Sequence, residues 1–170
     1  MTAHAMFPAI FRRRDRLALT RAACLALLLA AAAPLHAQDS QAAALALVEQ
    51  RHLGDNLAAL GAQVAIRTST YAVLVKRLGQ EQAGALVRQQ LRQALPKYQP
   101  QWNAHLATAY ASVFSAAELA SLAREGQASA AAPKLAAHQQ DIGEDMRARS
   151  TPVLQAYVTE AMNQAFKLSK

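Results

Sequence analysis

The stretch Tyr110-Ala111-Ser112-Val113-Phe114-Ser115-Ala116-Ala117-Glu118-Leu119-Ala120-Ser121-Leu122 brings one helix to its end and starts the next with no loop between them. Ser115 followed three residues later by Glu118 is a capping box, in which each side chain satisfies a backbone N–H at the start of the new helix. Phe114, just before the cap, and Leu119, at the fourth helical position, are spaced to form a hydrophobic staple. The expected result is a rigid corner. Tyr110, Phe114, Ser115, Glu118, Leu119 and Leu122 make it a structural motif, and none of them is chemically reactive there.

On the C-terminal side the short helix is expected to stop at Gly126, and Ser129 to cap a further helix with Pro133 in its first turn, where proline is tolerated. That helix carries Leu135, Gln139, Ile142 and Met146 to about Arg149. Thr151-Pro152 reads as another cap with proline at the first helical position, opening a last helix with Val153, Leu154, Tyr157, Val158, Ala161, Met162 and Phe166 on one stripe. This last helix is expected to close the bundle; an aromatic and methionine face left open would instead be a groove-filling or dimerising surface.

On the N-terminal side, Trp102, Leu106, Ala109, Tyr110 and Val113 predict a buried stripe over Gln101 to Phe114. Pro96 and Pro100 have no N–H to donate, so they predict a break before it. Glu81 to Leu95 reads as a separate helix. Before it, Leu57, Leu60, Val64, Tyr71, Leu74, Val75 and Leu78 recur at helical spacing until Gly79. Arg67-Thr68-Ser69-Thr70 interrupts that run with residues of lower helix propensity, which predicts a kink or a break. Ser40 is placed to cap a first helix through about Leu53, Gly54 to end it in a left-handed turn, and Asp55 or Asn56 to cap the next. No segment alternates apolar and polar residues, and no hairpin turn signal is present. The expectation is all-α: one irregular bundle of about six or seven helices.

The first 37 residues read as an export leader rather than as fold. Arg12, Arg13, Arg14, Arg16 and Arg21 form a basic opening, Ala22 to Ala33 is a short apolar run, and Leu35-His36-Ala37 ends in the small-x-small pattern that signal peptidase accepts. The run is shorter than the roughly 20 apolar residues of a permanent span, so no membrane anchor is expected after cleavage. The one cysteine, Cys24, opens the run, whereas a lipid-carrying cysteine would close it. Residues 38–170 then form a single domain without a disulfide, in the periplasm or secreted. Of the formal charge of +7, the leader's five arginines against Asp15 hold +4, leaving +3. The remaining bases are scattered, with Arg88, Arg92 and Lys97 the nearest to a stripe, and no nucleic-acid partner is expected.

The corner resembles a bacterial family of secreted, mostly helical proteins known as domain of unknown function number twenty fifty-nine. The resemblance rests on Tyr110-x3-Phe114-Ser115-x2-Glu118-Leu119-x2-Leu122 and covers about residues 102–154. Where the family continues into a Phe-Tyr pair, this chain has Glu125-Gly126; where it has Ser-Pro, this chain has Ala128-Ser129; Lys134-Leu135 matches its Lys-Leu. The resemblance implies a helical envelope or secreted protein and brings no catalytic residue or cofactor with it.

Candidate chemistry is sparse. His138, Asp141 and Asp145 lie three and seven residues apart on one helix and could share a face, but a metal site needs three or four converging ligands and a supporting shell. A solvated face paired with Arg147 and Arg149 accounts for the same residues. There is no thiol after the leader, no Gly-x-Ser-x-Gly elbow and no glycine-rich phosphate loop. The pattern therefore points away from an enzyme and towards an interaction or envelope-associated module, its partner another protein or a second copy. The alternative is a small-ligand or metal-binding bundle with weak hydrolytic activity. Alanine is abundant and aromatics few, so each large residue of the lean core carries weight: Phe114→Ala should cost about 3–5 kcal/mol in urea unfolding, and a variant as stable as the parent would rule out the staple.

Overall fold

In the computed structural model the described residues are 32–170. The basic opening, Cys24 and the apolar run up to residue 31 lie outside the described residues. Six α-helices follow: α1 Ala32–Gln50, α2 Leu57–Ala65, α3 Ser69–Leu78, α4 Gln80–Ala111, α5 Ala116–Glu125 and α6 Ala132–Leu168, with a 3₁₀ turn at Gly126–Ala128. No strand occurs among the described residues, and the fold is all-α.

The long helices α4 and α6 form the frame. Tyr98 lies against Tyr157, and seven residues further along α4, His105 meets Ser150, seven residues earlier on α6. The two helices therefore run antiparallel. Tyr157 is fully buried between them, and its hydroxyl donates to the Leu91 carbonyl at 3.0 Å. Glu160 accepts from both Lys97 and Tyr98, tying the same stretch of α6 to α4 from the rim.

Three prolines were expected to break these helices and do not. Pro96 and Pro100 lie inside α4 and Pro152 inside α6. Each removes one i→i−4 bond, which strands the carbonyl four residues earlier. All three prolines are exposed, as are Arg92, Pro96 and Ala148, the residues that own those carbonyls. Water can satisfy them there. The opposite face, with Leu91, Ala94, Trp102, Val153 and Tyr157, stays packed and holds the helix together. Thr151, expected to cap a new helix, instead donates its hydroxyl to the Arg147 carbonyl within α6.

The N-terminal half departs from expectation in detail. Ser40 lies inside α1, where alanines on both sides favour helix over a cap. The helix ends at Gln50, and His52, not Gly54, takes the left-handed position at φ 54°. The Leu53 N–H reaches back to the Val48 carbonyl and the His52 N–H to that of Glu49, the two bonds of a Schellman turn. Gly54 instead lies against α4, where a Cβ would crowd the side chains of Asn103 and Gln99. The 67–70 interruption is a break. Thr68 caps α3 by accepting from the Tyr71 N–H at 3.1 Å, and α2 and α3 meet at 72°. Ser129 does not cap α6 directly; it is buried before the helix and accepts from the Ala131 N–H.

The capping box forms as read, but α4 stops at Ala111 rather than Phe114, and residues 112–115 make a short connection where no loop was expected. Ser115 and Glu118 make both bonds of the capping box, Phe114, Leu119 and Leu122 are buried, and α4 turns through 116° into the following segment. Residues Ala37–Lys170 form one compact unit. Among the described residues no single helix is long and apolar enough to cross a membrane.

Two glycines make opposite predictions. A Cβ at Gly61 on α2 would lie 2.4 Å from the Tyr157 ring, whereas one at Gly143 on α6 meets nothing within 4 Å. Gly61→Ala should therefore destabilise by about 1–3 kcal/mol through overpacking. Gly143→Ala, in an exposed helix interior, should stabilise by about 0.4–1 kcal/mol. Urea midpoints that move the same way in both variants would contradict the packing described.

Candidate functional site

Spacing of four residues along the two long helices builds a cleft. On α4, Trp102, Leu106 and Tyr110 form one rail. On α6 there are two: an inner rail of Ile142, Met146, Ser150 and Leu154, and an outer rail of Gln139, Gly143, Arg147 and Thr151. Residues four apart on a helix lie above one another, so each rail is a continuous strip. Leu53, Asn56 and Leu60, from the α1–α2 turn and α2, close the third side, and the cleft encloses about 580 Å³ while remaining open to solvent.

Hydrogen bonds fix these walls. The Trp102 indole N–H donates to Asn56 Oδ1 at 3.1 Å, which sets the plane of the ring. Asn56 was expected to cap α2, but its side chain makes no cap bond and serves α4 instead. Gln99 Nε2 donates to the Gly54 carbonyl at 2.8 Å and to Asn103 Oδ1 at 2.7 Å, stitching the turn to the same helix. A second, smaller hollow of about 250 Å³ adjoins the first, sharing Leu53 and Tyr110, and reaches Leu47, Arg51, Leu122 and Leu135. Arg51 Nε donates to the Ala123 carbonyl at 2.9 Å, placing a cation at the C-terminal end of α5, where the helix dipole favours it.

Chemically the cleft is quiet. Burial pushes the Tyr110 phenol up from its ordinary value, so it stays neutral at physiological pH. His105 Nδ1 lies 3.2 Å from Ser150 Oγ, a meeting of hydroxyl and imidazole from separate helices that no sequence motif signalled. Ser150 Oγ also lies 3.1 Å from Met146 Sδ, so the hydroxyl sits between the ring and the thioether. No carboxylate pairs with His105 among the described residues, and Ser150 lies in mid-helix, where neighbouring N–H groups are used by the helix itself.

The residues singled out as metal candidates separate. His138 Nδ1 lies 3.1 Å from Asp141 Oδ2 on an exposed face, while Asp145 accepts from Arg149 Nε through both oxygens, at 2.8 and 2.9 Å. No group of three or more histidine, cysteine or acidic residues converges among the described residues. The corner motif divides differently: Tyr110 lines both hollows, Leu122 lines the smaller, and Phe114, Ser115, Glu118 and Leu119 hold the frame.

Glu118 does more than cap. Lys134, in the first turns of α6, contacts both of its carboxylate oxygens at 3.0 Å and lies 4.9 Å from the centre of the Phe114 ring. The Ser115 backbone N–H, then Lys134, then the Ser115 hydroxyl hold the Glu118 carboxyl at about 2. The chain matches no protein-family model, no curated protein and no solved structure.

Because the folded state holds Glu118 ionised below its unfolded value of about 4.3, the stability it contributes is present above that value and fades as pH falls towards about 2. Glu118→Gln can keep the cap bonds but loses the charge. Its melting temperature should lie below that of the parent at pH 7, and the gap should close between about pH 5 and pH 2; a gap independent of pH would refute the assignment.

Proposed function

We propose that this chain is an exported, non-catalytic binding module whose working surface is the cleft between α4 and α6. The observation that carries the reading is an open hollow of about 580 Å³, walled largely by Leu53, Leu60, Trp102, Leu106, Ile142, Met146 and Leu154. Apolar walls with a few polar groups at the rim, at a volume between about 300 and 1,000 Å³, are the usual makeup of a small-molecule site. That favours a small apolar or amphipathic guest over a second protein chain as the occupant. Export is proposed from the basic opening, apolar run and Ala37 boundary, and kinship with the domain-of-unknown-function family rests on the Tyr110 to Leu122 motif.

Nile red, a neutral apolar dye, tests the reading. It should bind saturably at one site per chain and accept excitation energy from Trp102, the only tryptophan. Leu106→Asp, inside the cleft, should weaken dye binding about tenfold or more, since burying an unpaired carboxylate opposes an apolar guest. Ile66→Asp, on an exposed position outside it, should leave binding unchanged. Absence of saturable binding, or equal loss in both variants, would reject the module.

A further inference from the structure

The charges lining the two hollows are of one sign. Among the described residues, Arg147 on the outer rail of the larger and Arg51 in the smaller are the only formally charged residues in either lining, and none of the lining residues is an aspartate or glutamate. Arg147 also has no carboxylate partner among the described residues. Its surroundings make that notable. Arg149, two residues on, is held by Asp145, and Glu144, three residues before, is taken by Gln140 Nε2 at 3.0 Å. Neither acid forms an ion pair with Arg147, which lines the apolar cleft.

The outer rail supports a headgroup at this place. Gln139, four residues before Gly143, and Thr151, four after Arg147, carry hydrogen-bonding groups along the same strip beside the opening. Gly143, one turn before Arg147 on the rail, has no side chain, and a Cβ there would meet only open space. Across the cleft, Trp102, Leu106, Ile142 and Met146 offer a strip without charge, which continues past Leu53 and Tyr110 into the second hollow.

Resting on the binding-module reading above, we propose that the cleft seats a single-chain anionic amphiphile, a long-chain carboxylate, with its head on Arg147 and its chain along Trp102, Leu106, Ile142 and Met146. A guanidinium presents paired N–H donors to a carboxylate in a planar fork, and the low-polarity walls strengthen that pairing by excluding water. The apolar chain supplies non-directional affinity through its burial, and the arginine supplies the choice of head. A cationic or neutral head of the same chain length forgoes the second contribution.

Three twelve-carbon probes below their micelle concentrations test this: laurate, dodecanol and dodecyltrimethylammonium, each read by the emission of Trp102 and by displacement of Nile red. Laurate should bind about tenfold or more tightly than dodecanol, with the ammonium weakest, and added salt should narrow the spread. Arg147→Gln should bring laurate to the level of dodecanol; Arg149→Gln, whose guanidinium is engaged by Asp145, should preserve the preference for laurate. Equal affinity for the three probes, or an unchanged order in Arg147→Gln, would overturn the carboxylate assignment and leave the binding module standing. No binding of Nile red or of any probe would remove both. Dye binding that disappears as the protein concentration rises would assign the cleft to a second copy of the chain and overturn the proposal as well.

Discussion

The fold depends on how closely α2, α4 and α6 approach around one side chain. Tyr157 fills the space between the two long helices, leaves Gly61 of α2 no room for a Cβ, lies 5.7 Å from Tyr98 centre to centre, and gives its hydroxyl to the Leu91 carbonyl. A phenol buried this fully would be costly without an acceptor. Finding one on the facing helix fixes the rotation and the axial register of α6 against α4 together. Every rail of the cleft follows from that register, since Trp102, Leu106 and Tyr110 face Ile142, Met146 and Ser150 only when the helices are so aligned.

Both helices carry proline across this seam without breaking, because the missing hydrogen bonds fall on the wet side. Local propensity alone places a helix boundary at Pro96, Pro100 and Pro152. Packing of Leu91, Ala94, Trp102, Val153 and Tyr157 over the neighbouring turns outweighs the lost bonds. The residues that own the stranded carbonyls are exposed. Two short helices and a connection thus become one long strut in each case, and only struts of that length can face one another far enough to leave an extended cleft between them.

Polar side chains near the cleft act mainly as ties. Asn56 holds the Trp102 indole, Gln99 holds the Gly54 turn, His105 holds Ser150, and Ser150 holds Met146. Among the described residues no buried side-chain nitrogen or oxygen lacks a partner. Arg147 differs: among the described residues it is the one formal charge lining the larger hollow, and it forms no ion pair. The corner at Ser115 anchors this arrangement from the far end, where Lys134 links the start of α6 to Glu118 and Phe114.

The sequence by itself determined the helical class, an interruption at residues 67–70, the stop at Gly79 and the Ser115–Glu118 capping box, because each is a short-range matter of side chain against nearby backbone; the structure decided that the interruption is a break capped by Thr68. Ser40, Thr151 and Asn56 also look like caps by the same local rules, yet Ser40 lies inside α1, Thr151 bonds back within α6, and Asn56 turns to Trp102. Tertiary structure decided those cases, as it decided the continuity of α4 and α6, the left-handed turn at His52, and the cleft. His138, Asp141 and Asp145 share a helix but not a site, whereas Trp102, Met146 and Arg147 share a site only because two struts meet. Contacts between residues tens of positions apart depend on how helices pack around Tyr157, and helical periodicity carries no record of which faces will meet.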